Sequence, residues 1–335
     1  MNRVAIVILN WNGINDTIEC LDSLQKQTYK NFHIIVVDNG STDDSKNQLD
    51  KYTEKNNNTS VIYNPKNLGF AGGANTGIKW AIDNSFDSVA LFNNDATADK
   101  KWLESLVNGL NKTNNTGVCT GLLLHGDGKT IDSTGDWYTT WGLPFPRNRN
   151  DKSDQAPDSG FVFSASGGAS LYKTSVLKEI GLFDEDFFAY YEDTDISFRA
   201  QLAGYRVYYT NQAIAYHKQG ATSKKIPGFT VYQTFKNLPL LFIKNVPSGL
   251  LFSVGIRFKL AYWLMFFNAV KKGRGKYALK GLLESISLTP SKLSERRKIQ
   301  STKKVDSKYI KSILWPDLPP DQTGLRKLRK FFTGK

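Results

Sequence analysis

VAIVILNWNG, residues 4–13, decides the fold class. Val4 to Leu9 is apolar without a break, the mark of a strand buried on both faces. Asn10-Trp11-Asn12-Gly13 turns the chain. Working outward, the spacing predicts a helix from about Asp16 to Gln27, with Ile18, Leu21 and Leu24 on one face. Phe32 to Val37 reads as the second strand, ending in Asp38-Asn39-Gly40-Ser41. A helix capped by Ser41 or Thr42, with Asp43 and Asp44 in its first turn, follows, and Val61 to Tyr63 is a short third strand. This βαβαβ order implies a parallel sheet with helices on both faces. Ligands of such sheets bind outside the carboxyl ends of the strands. Asn10, Asp38 and the segment after Tyr63 lie along that edge.

That segment runs from Asn67 to Gly77, NLGFAGGANTG. Its glycines let backbone approach a phosphate or sugar, and a helix from about Ala71 to Asn84 would aim its N-terminus at an anion. The spacing is neither a dinucleotide fingerprint nor a P-loop, and a Gly-rich turn is more often a tight helix entry than a phosphate site. Ser88 to Phe92 is the next strand, ending in Asn93-Asn94-Asp95. A carboxylate there is a hard-metal ligand or a helix cap before Lys100 to Leu110. Gly117 to Leu124 is a further strand. Residues 125–160 read as a long irregular loop, and its Arg147 and Arg149 are pyrophosphate contacts or plain surface charges. Gly167-Gly168, where a strand resumes through Leu171, marks close approach of a ligand. His217 ends the strand Tyr205 to Tyr216.

Phe183 to Ala203, FDEDFFAYYEDTDISFRAQLA, is the densest chemistry in the chain. Asp184, Glu185, Asp186, Glu192, Asp193 and Asp195 sit among Phe187, Phe188, Tyr190 and Tyr191. Acids beside aromatics point to a partly dry cleft, where desolvation makes a carboxyl a useful base. The alternative is that they open a helix and favour its dipole.

The chain has 335 residues and 40% hydrophobic content, which suits one large domain with an extension, or two domains. Cys20 and Cys119 lack metal spacing and read as reduced core residues of a cytosolic protein. The first apolar run is too short for a secretory signal. Charge is split: residues 1–217 hold 19 Lys and Arg against 26 Asp and Glu, and residues 218–335 hold 25 against 5. The tail therefore has a partner of its own.

The ordered set VAIVILNWNG, VVDNGSTDDS, NLGFAGGANTGI, LFNNDA, SGGASLYKTSVLKEIGLFDEDFFAYYEDTDISFRAQLAGYRV and AYH resembles the family 2 inverting glycosyltransferases of the GT-A fold, within them the rhamnosyltransferase-like group. The likeness spans about residues 3–222. It implies an α/β fold, a mostly parallel Rossmann-like sheet flanked by helices, for residues 1–222, with a basic, mainly helical extension at 223–335. It implies a nucleotide-diphosphate sugar donor (a dTDP- or UDP-sugar such as dTDP-rhamnose), and a glycan or polyprenyl-diphosphate-linked acceptor in cell-surface polysaccharide synthesis. On the matching positions, Asp38 recognises the nucleoside, and Asn10, Asn67, Gly69 and Asn75 belong to the donor pocket. Asn93 and Asp95 take the Asp-X-Asp place, with Asp95 and His217 as ligands of Mg2+ or Mn2+. Gly167 and Gly168 border the sugar, Asp193 is the catalytic base, and Glu192 positions it or the acceptor. Asn93 departs from the family pattern, since an amide brings no charge to the metal. A catalytically impaired relative is the alternative it raises.

In the extension, Leu238 to Val270 is rich in Leu, Phe and Trp, but Lys244, Arg257 and Lys259 interrupt it, so no uncharged run reaches a spanning length. Interleaved apolar and basic residues imply helices in an anionic membrane interface, with Lys271 to Lys276 and Arg326 to Lys330 adding charge. That places the protein in the cytoplasm, peripheral on the inner face of the cell membrane. The other reading is a helical subdomain packed on the body or building a homo-oligomer. No nucleic-acid-binding motif is present to favour that partner.

Overall fold

The structure, a computed structural model, describes residues 2–218 and 226–320. The chain runs β1 (Val4–Asn10), α1 (Ile14–Leu24), β2 (Phe32–Asp38), α2 (Ser45–Lys55), β3 (Thr59–Tyr63), α3 (Gly69–Asp83), β4 (Ser88–Asn93), β5 (Ala96–Ala98) and α4 (Trp102–Leu110). It continues through β6 (Thr116–His125), β7 (Ile131–Ser133), β8 (Asp136–Tyr138), β9 (Pro144–Pro146), β10 (Gly160–Val162), β11 (Ala169–Lys173), α5 (Thr174–Ile180), α6 (Glu192–Leu202) and β12 (Arg206–His217). The extension supplies α7 (Phe229–Asn245), α8 (Leu251–Lys271), α9 (Gly275–Thr302) and α10 (Ser307–Ser312).

The main sheet has the order β10-β12-β6-β11-β4-β1-β2-β3, with β5 on β12 and β7 on β6. β1 pairs in parallel with β2 and β4, β2 with β3, and β6 with β12. β11 enters antiparallel between β4 and β6, so the sheet is mixed around that strand. Alternation along β1 explains its unbroken apolar run. Ile6 and Ile8 bury against α1 and α4, while Ala5 and Val7 bury against α3.

Three local expectations change. α2 begins only at Ser45. Asp43 accepts from the Ser45 backbone N–H (3.1 Å), and the Ser41 hydroxyl is spent on Asn12 N–H (2.9 Å) and Asn10 Nδ2 (3.1 Å). α1 stops at Leu24, because the buried Gln27 side chain leaves the helix line to bond Asp99 O and Leu103 N. Residues 125–160 are not irregular throughout. They contain β7 and the β8–β9 hairpin, in which Trp137 pairs with Phe145.

The extension packs onto the body. Leu240, Leu241, Val246, Ile310 and Leu314 share a buried cluster with Phe187, Phe198 and Leu202. In α8, Phe258 stacks on Phe242 of α7 (4.8 Å), and Tyr262 Oη donates to Phe235 O (2.8 Å). Despite Arg257 and Lys259, an 18-residue window of Ser248–Lys271 has a mean hydropathy of 1.5, and by length and composition the helix meets what a membrane span needs. Arg326 to Lys330 lie outside the described residues.

Candidate active site

A cleft of about 1050 Å³ opens at the carboxyl ends of the strands. Its wall includes Asn67, Gly69, Asn93, Asp95, Gly167, Gly168, Glu192, Asp193 and His217. Nine of the residues singled out in the sequence thus meet in one cavity. Asn10, Asp38 and Asn75 do not line it.

Asn10 and Asp38 stand behind the wall. Asn10 Nδ2 donates to Asp38 Oδ2 (2.7 Å), and Asp38 Oδ1 accepts from Ser41 N (3.0 Å), so the pair ties the β1 and β2 ends to the 39–41 turn. Asn39, passed over in the sequence, carries the contact forward. Its Nδ2 donates to Asn67 Oδ1 (3.1 Å) and Gly69 O (2.9 Å), and its Oδ1 accepts from Leu68 N (3.2 Å). Asn75 is buried and turned to the acidic segment, bonding Phe183 O, Phe183 N and Glu185 Oε1. It fastens α3 to that segment and does not reach the cleft.

The glycine-rich start of α3 is a packing device. Gly69 has φ +72, and a Cβ there would collide with the Phe188 carbonyl and ring. The Phe188 carbonyl accepts from Ala71 N (3.1 Å), which takes one free N–H of the first turn away from any anion.

Asn93, Asp95 and His217 form a compact group. His217 Nε2 lies 3.0 Å from Asp95 Oδ1 and 3.2 Å from Asn93 Nδ2. On the other side, His217 Nδ1 is 2.7 Å from Asp132 Oδ2, and Asp132 Oδ1 pairs with Arg149 (2.7 Å). Burial opposes charge on this imidazole, but hydrogen bonds to Asp132 and Asp95 and their negative charges outweigh it and push the ring up to about 9. Asp132 was missed in the sequence, since a lone Asp in a loop carries no signal. Arg149 is a cleft residue held by Asp132. Arg147 lies over the Trp137 and Tyr209 rings at 5.8 and 5.5 Å.

The carboxylate, imidazole and amide suit a divalent cation of the Mg2+ or Mn2+ kind. The Asp132–His217 contact is the outer support that orients such a ligand. Asp184, Asp186 and Glu295 also converge, but the Lys292 ammonium reaches all three at 2.6 to 2.8 Å. The cation there is the protein's own.

Asp193 and Glu192 open α6. Asp193 Oδ2 accepts from Gly167 N (3.0 Å) and Oδ1 from Thr194 N (2.7 Å). Burial raises its carboxyl, and these donors partly offset the rise. Glu192 is raised well above the usual range by burial and by the charge of Asp193. Its Oε2 is buried without a hydrogen-bond partner among the described residues. The turn leading into them is unusual: Phe188, Tyr190 and Tyr191 all have φ between 60 and 72, a region costly for bulky residues. Asn237 of α7 stabilises it, its Nδ2 lying 2.8 to 2.9 Å from the carbonyls of Phe187, Ala189 and Tyr190.

The other acids of the stretch face away from the cleft. Lys244 Nζ pairs with Asp184 (2.7 Å), Asp195 (3.1 Å) and Glu295 (3.0 Å), and Arg199 pairs with Asp195 (2.8 Å). The acidic run therefore serves two ends, a cleft and a buried ion-pair network.

Comparison with known proteins agrees with this arrangement. The profile described as Glycosyl transferase family 2 matches residues 5–181. The chain is 23% identical over 243 residues (71% of this chain, 74% of the relative) to the low-salt glycan biosynthesis hexosyltransferase Agl10 of Haloferax volcanii. It is 26% identical over 227 residues (67% and 69%) to the O-antigen chain rhamnosyltransferase WbaN of Salmonella anatum. In fold it is similar to a Pyrobaculum calidifontis mannosyltransferase in complex with GDP-Man and Mn2+ (TM-score 0.56, 14% identity, 93% of this chain and 85% of that one). It is likewise similar to S. aureus TarS 1-349 in complex with UDP (TM-score 0.56, 16% identity, 90% of each). With more than half its length matched and a GT-A-type sheet beneath the cleft, the chain belongs to glycosyl transferase family 2.

Proposed function

We propose that this chain is an inverting glycosyltransferase using a nucleotide-diphosphate sugar, with a glycan or polyprenyl-diphosphate-linked hydroxyl as acceptor, in cell-surface polysaccharide synthesis. The observation that carries the reading is Asp193, a cleft carboxylate held by two backbone N–H groups in the same cavity as the Asn93–Asp95–His217 group. Asp193 takes the proton of the acceptor hydroxyl as that oxygen bonds to the anomeric carbon. The bond from that carbon to the diphosphate oxygen breaks, the nucleoside diphosphate leaves, and one displacement inverts the centre. Asp95 and His217, with Asn93, would hold the divalent ion. Bound there, the ion supplies positive charge for the leaving diphosphate. Asn39 and Asn67 shape the donor side. The kinship with WbaN favours a dTDP- or UDP-sugar such as dTDP-L-rhamnose.

The test is a thermal-shift panel of nucleoside diphosphates with and without Mn2+ or Mg2+. A ligand at 100 times its Kd stabilises the folded state by about 2.7 kcal/mol. A metal-dependent shift with dTDP or UDP is expected, and His217→Ala is expected to remove the metal-dependent part. If no nucleotide shifts the wild type, the donor site is wrong. Normal nucleotide binding without turnover marks the impaired relative that Asn93 raises.

The reading also places the protein on the inner membrane face. On α8, Phe252, Ile256, Leu260, Trp263, Phe267 and Val270 recur every three or four residues and are all exposed, Phe252 by 82%. Arg257, Lys259 and Lys271 are exposed on the same helix, which holds no acidic residue, and Lys272 follows it exposed at the C-cap. Such a helix, packed on one side and apolar on the other, lies in an interface. Wild type is expected to float with anionic vesicles, and the triple variant Phe252→Glu, Trp263→Glu, Phe267→Glu is expected to stay behind. Equal flotation removes this part of the proposal.

A further inference from the structure

Asp136 opens β8 and lines the same cleft as Asp193 and Glu192. Its backbone exchanges two hydrogen bonds with Ser164, at 2.8 and 3.0 Å. The Ser164 hydroxyl in turn donates to the Asp193 carbonyl (3.4 Å). Three carboxyl groups therefore line one cavity with unequal support. Asp193 has two backbone N–H donors, which favour an anion. Glu192 Oε2 is buried without a partner on a residue only 6% exposed, a costly place for a charge and a waiting place for a ligand. Among the described residues, the Asp136 side chain accepts from the Ser133 hydroxyl at Oδ1 (3.1 Å) and from no backbone N–H.

Burial and the surrounding charges raise the Asp136 carboxyl. Burial raises it first, and the negative charge of Asp193 raises it further. Arg149 and Ser133 oppose this in part, Asp132 adds to it, and the balance lies at about 8. Arg149 is already committed to Asp132. The Tyr172 hydroxyl, which accepts from Ser170 Oγ, is raised by burial and adds no charge at neutral pH.

We propose that Asp136 is a specificity-determining residue of the acceptor subsite, a neutral carboxylic acid that donates a hydrogen bond to a sugar hydroxyl beside the one Asp193 deprotonates. The matching ligand is a vicinal diol of a pyranose. One hydroxyl gives its proton to the anionic Asp193, and the oxygen of its neighbour accepts from the Asp136 O–H. Environments that drive neighbouring carboxyls apart in this way assign acid and base roles. The proposal rests on Asp193 being the base.

Two measurements on Asp136→Asn test it. The first is melting temperature against pH for wild type and variant. A carboxyl whose folded pKa exceeds its unfolded value contributes stability that is lost as pH rises through the folded value. The wild-type melting temperature, relative to the variant, should fall from about pH 4 to about pH 8 and then level off. A constant difference over that interval overturns the neutral acid. The second is the pH profile of nucleoside-diphosphate release from dTDP- and UDP-sugars with methyl hexopyranosides, which carry vicinal diols, as acceptors, after subtracting release to water. Wild-type release should fall about tenfold per pH unit above about pH 8, and the variant should lack that limb. A variant that keeps the limb overturns the proposal. Asp136→Ser keeps a hydroxyl donor without the ionisation and should give the same two results. If wild type releases no nucleotide from any sugar, the glycosyltransferase reading fails by itself, and the stability curve still decides Asp136.

Discussion

Asp193→Asn is expected to lower sugar transfer by about 10²- to 10⁴-fold, the usual contribution of a general base, with nucleotide binding retained. The amide has the shape of the carboxylate and keeps an oxygen for Thr194 N, but it cannot take a proton. The loss should fall on kcat and kcat/KM together, because the interaction removed exists only as the acceptor proton moves. Burial raises the Asp193 carboxyl, and the base works only when ionised. Wild-type kcat should therefore fall on acidification at a pH above the ordinary aspartate range. Initial rates of nucleoside-diphosphate release, beside a thermal shift with the same nucleotide, measure both parts. Near-normal turnover by a folded, nucleotide-binding variant removes Asp193 from the role.

Lys292→Met is expected to destabilise the fold by about 3–5 kcal/mol, the cost of breaking a buried pair by removing one partner. Lys292 is fully buried, and its ammonium contacts Asp184, Asp186 and Glu295. Burial alone would raise Asp184, but the ammonium groups of Lys244 and Lys292 reverse this and hold its carboxyl well below the usual range. A depressed folded pKa means stability that is present above the unfolded value, near 4, and is lost as pH falls through the folded one. The difference between wild type and variant should be largest at neutral pH and shrink below about pH 4. Denaturant midpoints at pH 7 and pH 3.5 measure it, provided the slope is unchanged. An equal or more stable variant at pH 7 would show that the packing of α9, and not the ion pairs, holds this region.

What the sequence conveys and what it hides follow one physical division. β1 is legible because burial on both faces leaves an unbroken apolar run. Asn93, Asp95 and His217 are legible because each closes a strand at the same edge. In the 131–149 segment only Arg147 and Arg149 offer a signal, and an ambiguous one, since Asp132 and Asp136 acquire meaning only when β7 and β8 bring them to the cleft. The extension misleads for a related reason. Its charge points to an anionic surface, yet Lys236, Lys244 and Lys292 are buried. A buried lysine reads the same as an exposed one until its partner, 60 or 108 residues away, is known. Asp184 and Asp195 misread in the opposite direction, as cleft acids, because their cations come from that extension.

The brace on the turn at 187–191 also orders events in time. Synthesis runs from the N-terminus, and folding begins there. Every strand of the sheet is translated before Asn237, Lys244 and Lys292. A nascent chain can close its sheet while Asp193 still follows an unfastened turn, with Asp184 and Asp195 lacking their lysines. The turn that carries Asp193 is therefore fastened last, when α7 and α9 dock on it. A chain truncated after β12 is expected to lack sugar transfer, because the turn that carries Asp193 loses its Asn237 fastening.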